Sequence, residues 1–100
     1  MSEIEQLGID IQLSDDVAQG NYSNLVIISH STSEFILDFA AVLPGVKQAP
    51  VKSRIILTPE HAKRLLMSLQ ENIVRYESTM GKIEIPTPQM PQGGPKMGEA

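Results

Sequence analysis

Val51–Leu66 reads VKSRIILTPEHAKRLL, and the hydrophobic period changes inside that stretch. Up to Thr58 the residues alternate, with Val51, Ser53, Ile55 and Leu57 on one face and Lys52, Arg54 and Ile56 on the other, which is the period of a strand over 51–58. Thr58, Pro59 and Glu60 then make a helix start: a hydroxyl for the N-cap, a proline tolerated at the first helical position, and an acid near the positive end of the dipole. From there Ala62, Leu66, Leu69, Ile73, Tyr76 and Met80 recur at alternating steps of four and three. The spacing predicts one helix over 59–80, about 33 Å long at 1.5 Å per residue, closed by Gly81. Such a stripe also suits a coiled-coil seam, but it covers fewer than three heptads and Leu65 widens it toward a globular core face. Packing on a sheet is the expectation.

Working upstream, Pro44, Gly45 and Pro50 bracket a connection, and Phe35–Leu43 precedes it as an apolar strand over 35–43. Phe35, Leu37 and Phe39 share one face, while Ile36, Ala40 and Val42 share the other, interrupted by Asp38. The polar Ser31–Glu34 segment reads as the turn of a hairpin whose other arm runs over 22–31. The centre of that arm, Leu25–Ile28, is apolar at consecutive positions, so cover on both faces is expected. Before it, Leu7, Ile9, Ile11 and Leu13 alternate with Gly8, Asp10 and Gln12, predicting a strand over 7–13. Lys82–Ile85 is a candidate short edge strand, with Ile83 and Ile85 on one side.

The fold class expected is therefore α+β: a mostly antiparallel four-stranded sheet followed by one long helix, in a single domain over residues 7–85. A flexible acidic N-terminus over 1–6 precedes it. Residues 86–100 form a tail rich in proline and glycine, expected to be disordered because it has too little apolar surface to offset chain entropy. That tail is either an inert solubilising segment or a docking segment.

A chain of 100 residues closes one modest core. Cysteine is absent, which removes disulfides and thiolate metal sites and makes a cytoplasmic home the simplest reading. No apolar run approaches the roughly 20 residues that span a bilayer, and the start is acidic, so neither a membrane anchor nor an export signal is expected. A net charge of −4 argues against nucleic-acid binding driven by overall charge. The charge is uneven, however. Glu3, Glu5, Asp10, Asp15 and Asp16 make the first twenty residues purely acidic, while Lys47, Lys52, Arg54, Lys63 and Arg64 concentrate positive charge in the middle. The two regions either complement each other on a solvated surface or leave a basic interaction patch at Lys52, Arg54, Lys63 and Arg64.

Candidate chemistry is thin. Ser29, His30 and Asp38 supply the residue types of a nucleophilic triad, but Ser29 and His30 are neighbours on a strand and face opposite sides. His30 and His61 fall short of the three or four ligands of a zinc site. Gly93 and Gly94 have no strand before them or helix after them, as a phosphate loop requires. No enzyme activity, cofactor or metal is expected. The mechanical inference is more useful: one helix cannot dry both faces of a sheet whose central strands are apolar on both sides. The residual face, centred on Ile36, Ala40, Val42 and Ile56, is expected to meet a second copy, with a homodimer as the default symmetry, or another partner.

NYSNLVIISHSTSEFILDF at 21–39 and VKSRIILTPEHAKRLLMSLQENIVRYE at 51–77 closely resemble the bacterial family catalogued as domain of unknown function 3467, in a Bacteroidota-type member. The resemblance covers about residues 7–85 and is carried by Ser29–Ser31, Glu34–Phe39 and Ser53–Arg64. It implies no catalytic residues. It does imply an accessory protein of transcription, through gene neighbours encoding the large RNA polymerase subunits. The expected function is thus a non-enzymatic protein-interaction module that docks on a larger cytoplasmic assembly such as RNA polymerase. The alternative is a nucleic-acid-binding regulator that uses the basic patch, a reading weakened by the scarcity of aromatic stacking platforms.

Overall fold

The computed structural model describes residues 8–86. Among the described residues three strands and two helices follow in chain order: α1 (Asp15–Ala18), β1 (Leu25–His30), β2 (Phe35–Ala40), β3 (Val51–Leu57) and α2 (Pro59–Met80). The sheet is antiparallel with spatial order β1-β2-β3, so β2 is central and both β1 and β3 are edges.

The β1–β2 hairpin follows from its turn. Ser31 donates its backbone N–H to the Glu34 carbonyl at 2.9 Å, and the Ser31 hydroxyl accepts from the Ser33 N–H at 3.2 Å. That closure sets His30 opposite Phe35, Ile28 opposite Leu37 and Ile27 opposite Asp38. His30 and Phe35 stack with ring centroids 5.1 Å apart. At the far end Asn24 takes the place of another ladder residue. Its amide nitrogen donates to the Val42 carbonyl at 3.1 Å and its amide oxygen accepts from the Val42 N–H at 2.7 Å. Ser23 adds a hydroxyl bond of 2.9 Å to the Ala40 carbonyl.

Between β2 and β3 the chain turns through Gly45, whose φ of 77° suits glycine. The register then slips: Asp38 faces Arg54 and Phe39 faces Ser53, but Ala40 faces Val51, leaving Lys52 as the extra residue of a bulge.

Helix α2 starts and stops where its residues dictate. The Thr58 hydroxyl accepts from the His61 N–H at 3.2 Å, Pro59 opens the first turn, and Gly81, at φ 101°, ends it by donating to the Glu77 carbonyl.

Four expectations change. Of the strand read over 7–13, the described residues 8–13 pair with no strand, and Ile9, Ile11 and Leu13 lie exposed. Alternation encodes a face, whereas a strand also needs a neighbour to hydrogen-bond, and no described segment supplies one. Among the described residues the sheet accordingly has three strands rather than the four expected. The polar break after Leu13 holds the single turn α1, with Asp15 and Asp16 at its start. The arms expected over 22–31 and 35–43 shorten to 25–30 and 35–40, because the Asn24 clamp and the buried Ala41 take over at their ends. Lys82–Ile85 is no edge strand either: the Ile83 N–H bonds to the Glu77 carboxylate at 2.9 Å, turning the chain back toward α2. The readings placed on residues 1–6 and on the tail beyond Pro86 lie outside the described residues.

Candidate interaction surface

The pairing register sorts the sheet into two faces. One carries Val26, Ile28, Phe35, Leu37, Phe39 and Ile55, and α2 runs over part of it. The other carries Leu25, Ile27, Ile36, Ala40 and Ile56 around Asp38 and Arg54. Among the described residues the only buried apolar side chains are Leu37, Ala40 and Ala41. Helix α2 buries none of its own. Leu66 is 58% exposed, Tyr76 53% and Met80 70%, far from the values of a packed core helix.

Where α2 passes the sheet it leaves an apolar groove of about 400 Å³ lined by Ile28, Phe35, Leu37, Ala62, Leu66 and Leu69. The second half of the helix continues the same stripe beyond the groove, through Ile73, Tyr76 and Met80. Those three are 39%, 53% and 70% exposed and border a shallow, open surface with Ile83. One helix therefore forms the wall of a groove at its start and an uncovered apolar ridge at its end.

On the other, open face the sheet centre is polar. Arg54 donates through Nε and Nη2 to the two carboxylate oxygens of Asp38 at 2.6 and 2.8 Å, a bidentate pair across the β2–β3 ladder. The Asp38 side chain is 15% exposed and that of Arg54 61%, so the guanidinium covers the carboxylate. These hydrogen bonds hold the Asp38 carboxyl below its ordinary range and raise Arg54 in return. On α2, Arg64 binds Glu60 at 2.7 Å, which lowers the Glu60 carboxyl by the same cause.

The expected interface residues land in different settings. Ile36, Ala40 and Ile56 share the open face, with Ile56 exposed and Ala40 already buried, while Val42 is exposed beyond the end of β2. The four basic residues are divided. Arg54 projects from the open face, Lys52 sits at the bulge, and Lys63 lines the groove on the opposite side of the sheet. Arg54 and Arg64 each have a carboxylate partner. The triad residues are also separated: Asp38 and Ser29 share the open face, His30 stacks on the other, and both Asp38 oxygens are taken by Arg54. Among the described residues no group of three or more His, Cys, Asp or Glu is placed to hold a metal, and no helix is long and apolar enough to cross a membrane.

Sequence reasoning missed the Asp38–Arg54 pair and the Asn24 clamp. The first is visible as opposite charges only once the β2–β3 register is known. The second had a signal, an asparagine directly before an apolar strand, but that residue also fits an ordinary turn.

A family model described as "Protein of unknown function (DUF3467)" matches residues 1–85. No curated protein and no solved structure matches the chain.

Proposed function

The chain belongs to the DUF3467 family, and on that premise we propose that it is a non-enzymatic protein-interaction module, completed by self-association, that docks on a larger cytoplasmic assembly. One observation carries the reading: the backbone is hydrogen-bonded into complete elements, yet most of its large apolar side chains face outward. Surface of that extent on a monomer is unfavourable in water and favourable against a partner. The strand read over 7–13 belongs to the same proposal. Ile9, Ile11 and Leu13 present an alternating apolar edge, and both β1 and β3 are free to pair with a further strand in an oligomer.

RNA polymerase is the assembly that the family resemblance suggests. The nucleic-acid reading draws less support, because the four cations of its patch lie on different sides of the sheet and two of them are matched by carboxylates. Light scattering on the purified chain across a range of concentrations tests the self-association. A dimeric or larger mass is expected, and a folded monomer at every concentration overturns the proposal. Affinity purification of the tagged chain at high salt tests the docking: polymerase subunits retained in stoichiometric amount are expected, and their absence removes polymerase as the partner.

A further inference from the structure

From the two halves of α2, we infer that a second copy of this chain lays the end of its helix in the groove of the first, in a symmetric antiparallel pairing. The inference rests on the self-association proposed above and specifies which surfaces meet. The groove at the start of α2 is walled by Ile28, Phe35, Leu37, Ala62, Leu66 and Leu69, and the exposed stripe at its end, Ile73, Tyr76 and Met80, supplies the ridge. Each copy thus carries both a groove and a ridge on one rigid element. A two-fold axis near residue 71 places each ridge in the other copy's groove, so that Ala62 faces Met80, Leu66 faces Tyr76 and Leu69 faces Ile73. This is the self-complementarity that a two-fold interface requires.

The area is sufficient. Leu65, Leu66, Leu69, Ile73, Tyr76 and Met80 are each between 39% and 70% exposed. With roughly 200 Å² for a large side chain, they offer on the order of 600 Å² per copy. The sheet wall of the groove brings this near the roughly 800 Å² per partner of a standard stable interface.

Charge selects the direction. The first half of α2 carries Lys63 and Arg64 against Glu60, and the second half carries Glu71 and Glu77 against Arg75, so the start is net cationic and the end net anionic. Antiparallel pairing sets cationic start beside anionic end, with Lys63 flanking the partner copy's acidic turn at position 77, and it also opposes the two helix dipoles. Parallel pairing sets like on like.

The chain has no cysteine, so introduced thiols are unique. Lys63→Cys, at an exposed position, and Glu77→Cys, at a half-buried one, are carried on differently tagged full-length chains, co-expressed, and treated with a short bismaleimide. Light scattering on each variant first establishes its mass, and circular dichroism its folding. The expected result is a dimer in which the 63-to-77 link between tags dominates. Each variant alone links poorly, because in this pairing its own counterpart lies roughly 20 Å away along the helix at 1.5 Å per residue. A dimer with strong 63-to-63 and 77-to-77 links means parallel helices and overturns the inference. A dimer with none of these links places the interface elsewhere and overturns it while leaving self-association standing. A folded monomer overturns both.

Discussion

The three-stranded sheet and α2 both carry large apolar side chains, the sheet more densely, yet the sheet has buried part of its share and the helix none. In the sheet, β2 is paired on both edges, and its Leu37 and Ala40 are covered. In the helix every backbone bond is internal, so the element is complete as a hydrogen-bonded unit while its stripe stays wet. The difference teaches that this chain separates two problems that most small domains solve together. Among the described residues, hydrogen bonding is complete along α2 and on both sides of β2, whereas most of the large apolar side chains stay exposed within one copy.

The largest expected effect lies on the sheet side. Leu37→Ala removes the only large apolar side chain buried among the described residues and is expected to cost about 2–4 kcal/mol in chemical denaturation. A cost within a few tenths of a kcal/mol would mean that the sheet is not the centre of stability, and the contrast between the two regions would collapse. Next comes the helix. Ile73→Ser is expected to cost about 1.5 kcal/mol per copy when the chain is associated and almost nothing in a dilute monomer, so its effect on Tm should fade as protein concentration drops. An effect independent of concentration would show that Ile73 is dried within its own copy.

Two smaller changes compare the polar fastenings. Asn24→Ala, which unclasps Val42 from the end of β1, and Thr58→Ala, which uncaps α2, are each expected to cost about 1 kcal/mol. Native-state hydrogen exchange separates them: the first should loosen amides at the ends of β1 and β2, the second those of the first turn of α2. If either variant loosened both regions equally, sheet and helix would be one cooperative unit.

The smallest effect concerns pH. Because the folded Asp38 carboxyl is held below its unfolded value by Arg54, its contribution is fully present above a pH of about 4 and is lost as pH falls through the lowered folded value. Acid titration of stability should therefore be shallower in Asp38→Asn than in the parent chain. Identical slopes would mean that Asp38 is equally at ease in the unfolded chain.

Much of this was legible in the sequence wherever a local signal was sufficient. Ser31–Glu34 announces a turn, and a turn of that length fixes the β1–β2 register, so the pairing of Ile28 with Leu37 follows from it. Thr58, Pro59 and Gly81 bound α2, and the structure places it at 59–80. The β2–β3 register was not legible, because a ten-residue connection leaves the pairing open and the bulge at Lys52 shifts it by one. For that reason Arg54 read as part of a basic surface together with Lys63, when it answers Asp38 on the face away from the groove. Residues 8–13 show the opposite failure. Their alternation was real, but a strand is a relation between two segments, and the second segment is not in the described chain.

The Asp38–Arg54 pair has a consequence for which molecules can adhere to the open face. A merely oily surface pressed onto Leu25, Ile27 and Ile56 would also strip water from a charged pair and return nothing for the guanidinium hydrogens that still point outward. Only a visitor bringing an acceptor to the right spot escapes that penalty. For the interaction proposed above, the pair therefore acts as a lock on an otherwise sticky plate, penalising a purely apolar contact and favouring one that carries a matching acceptor.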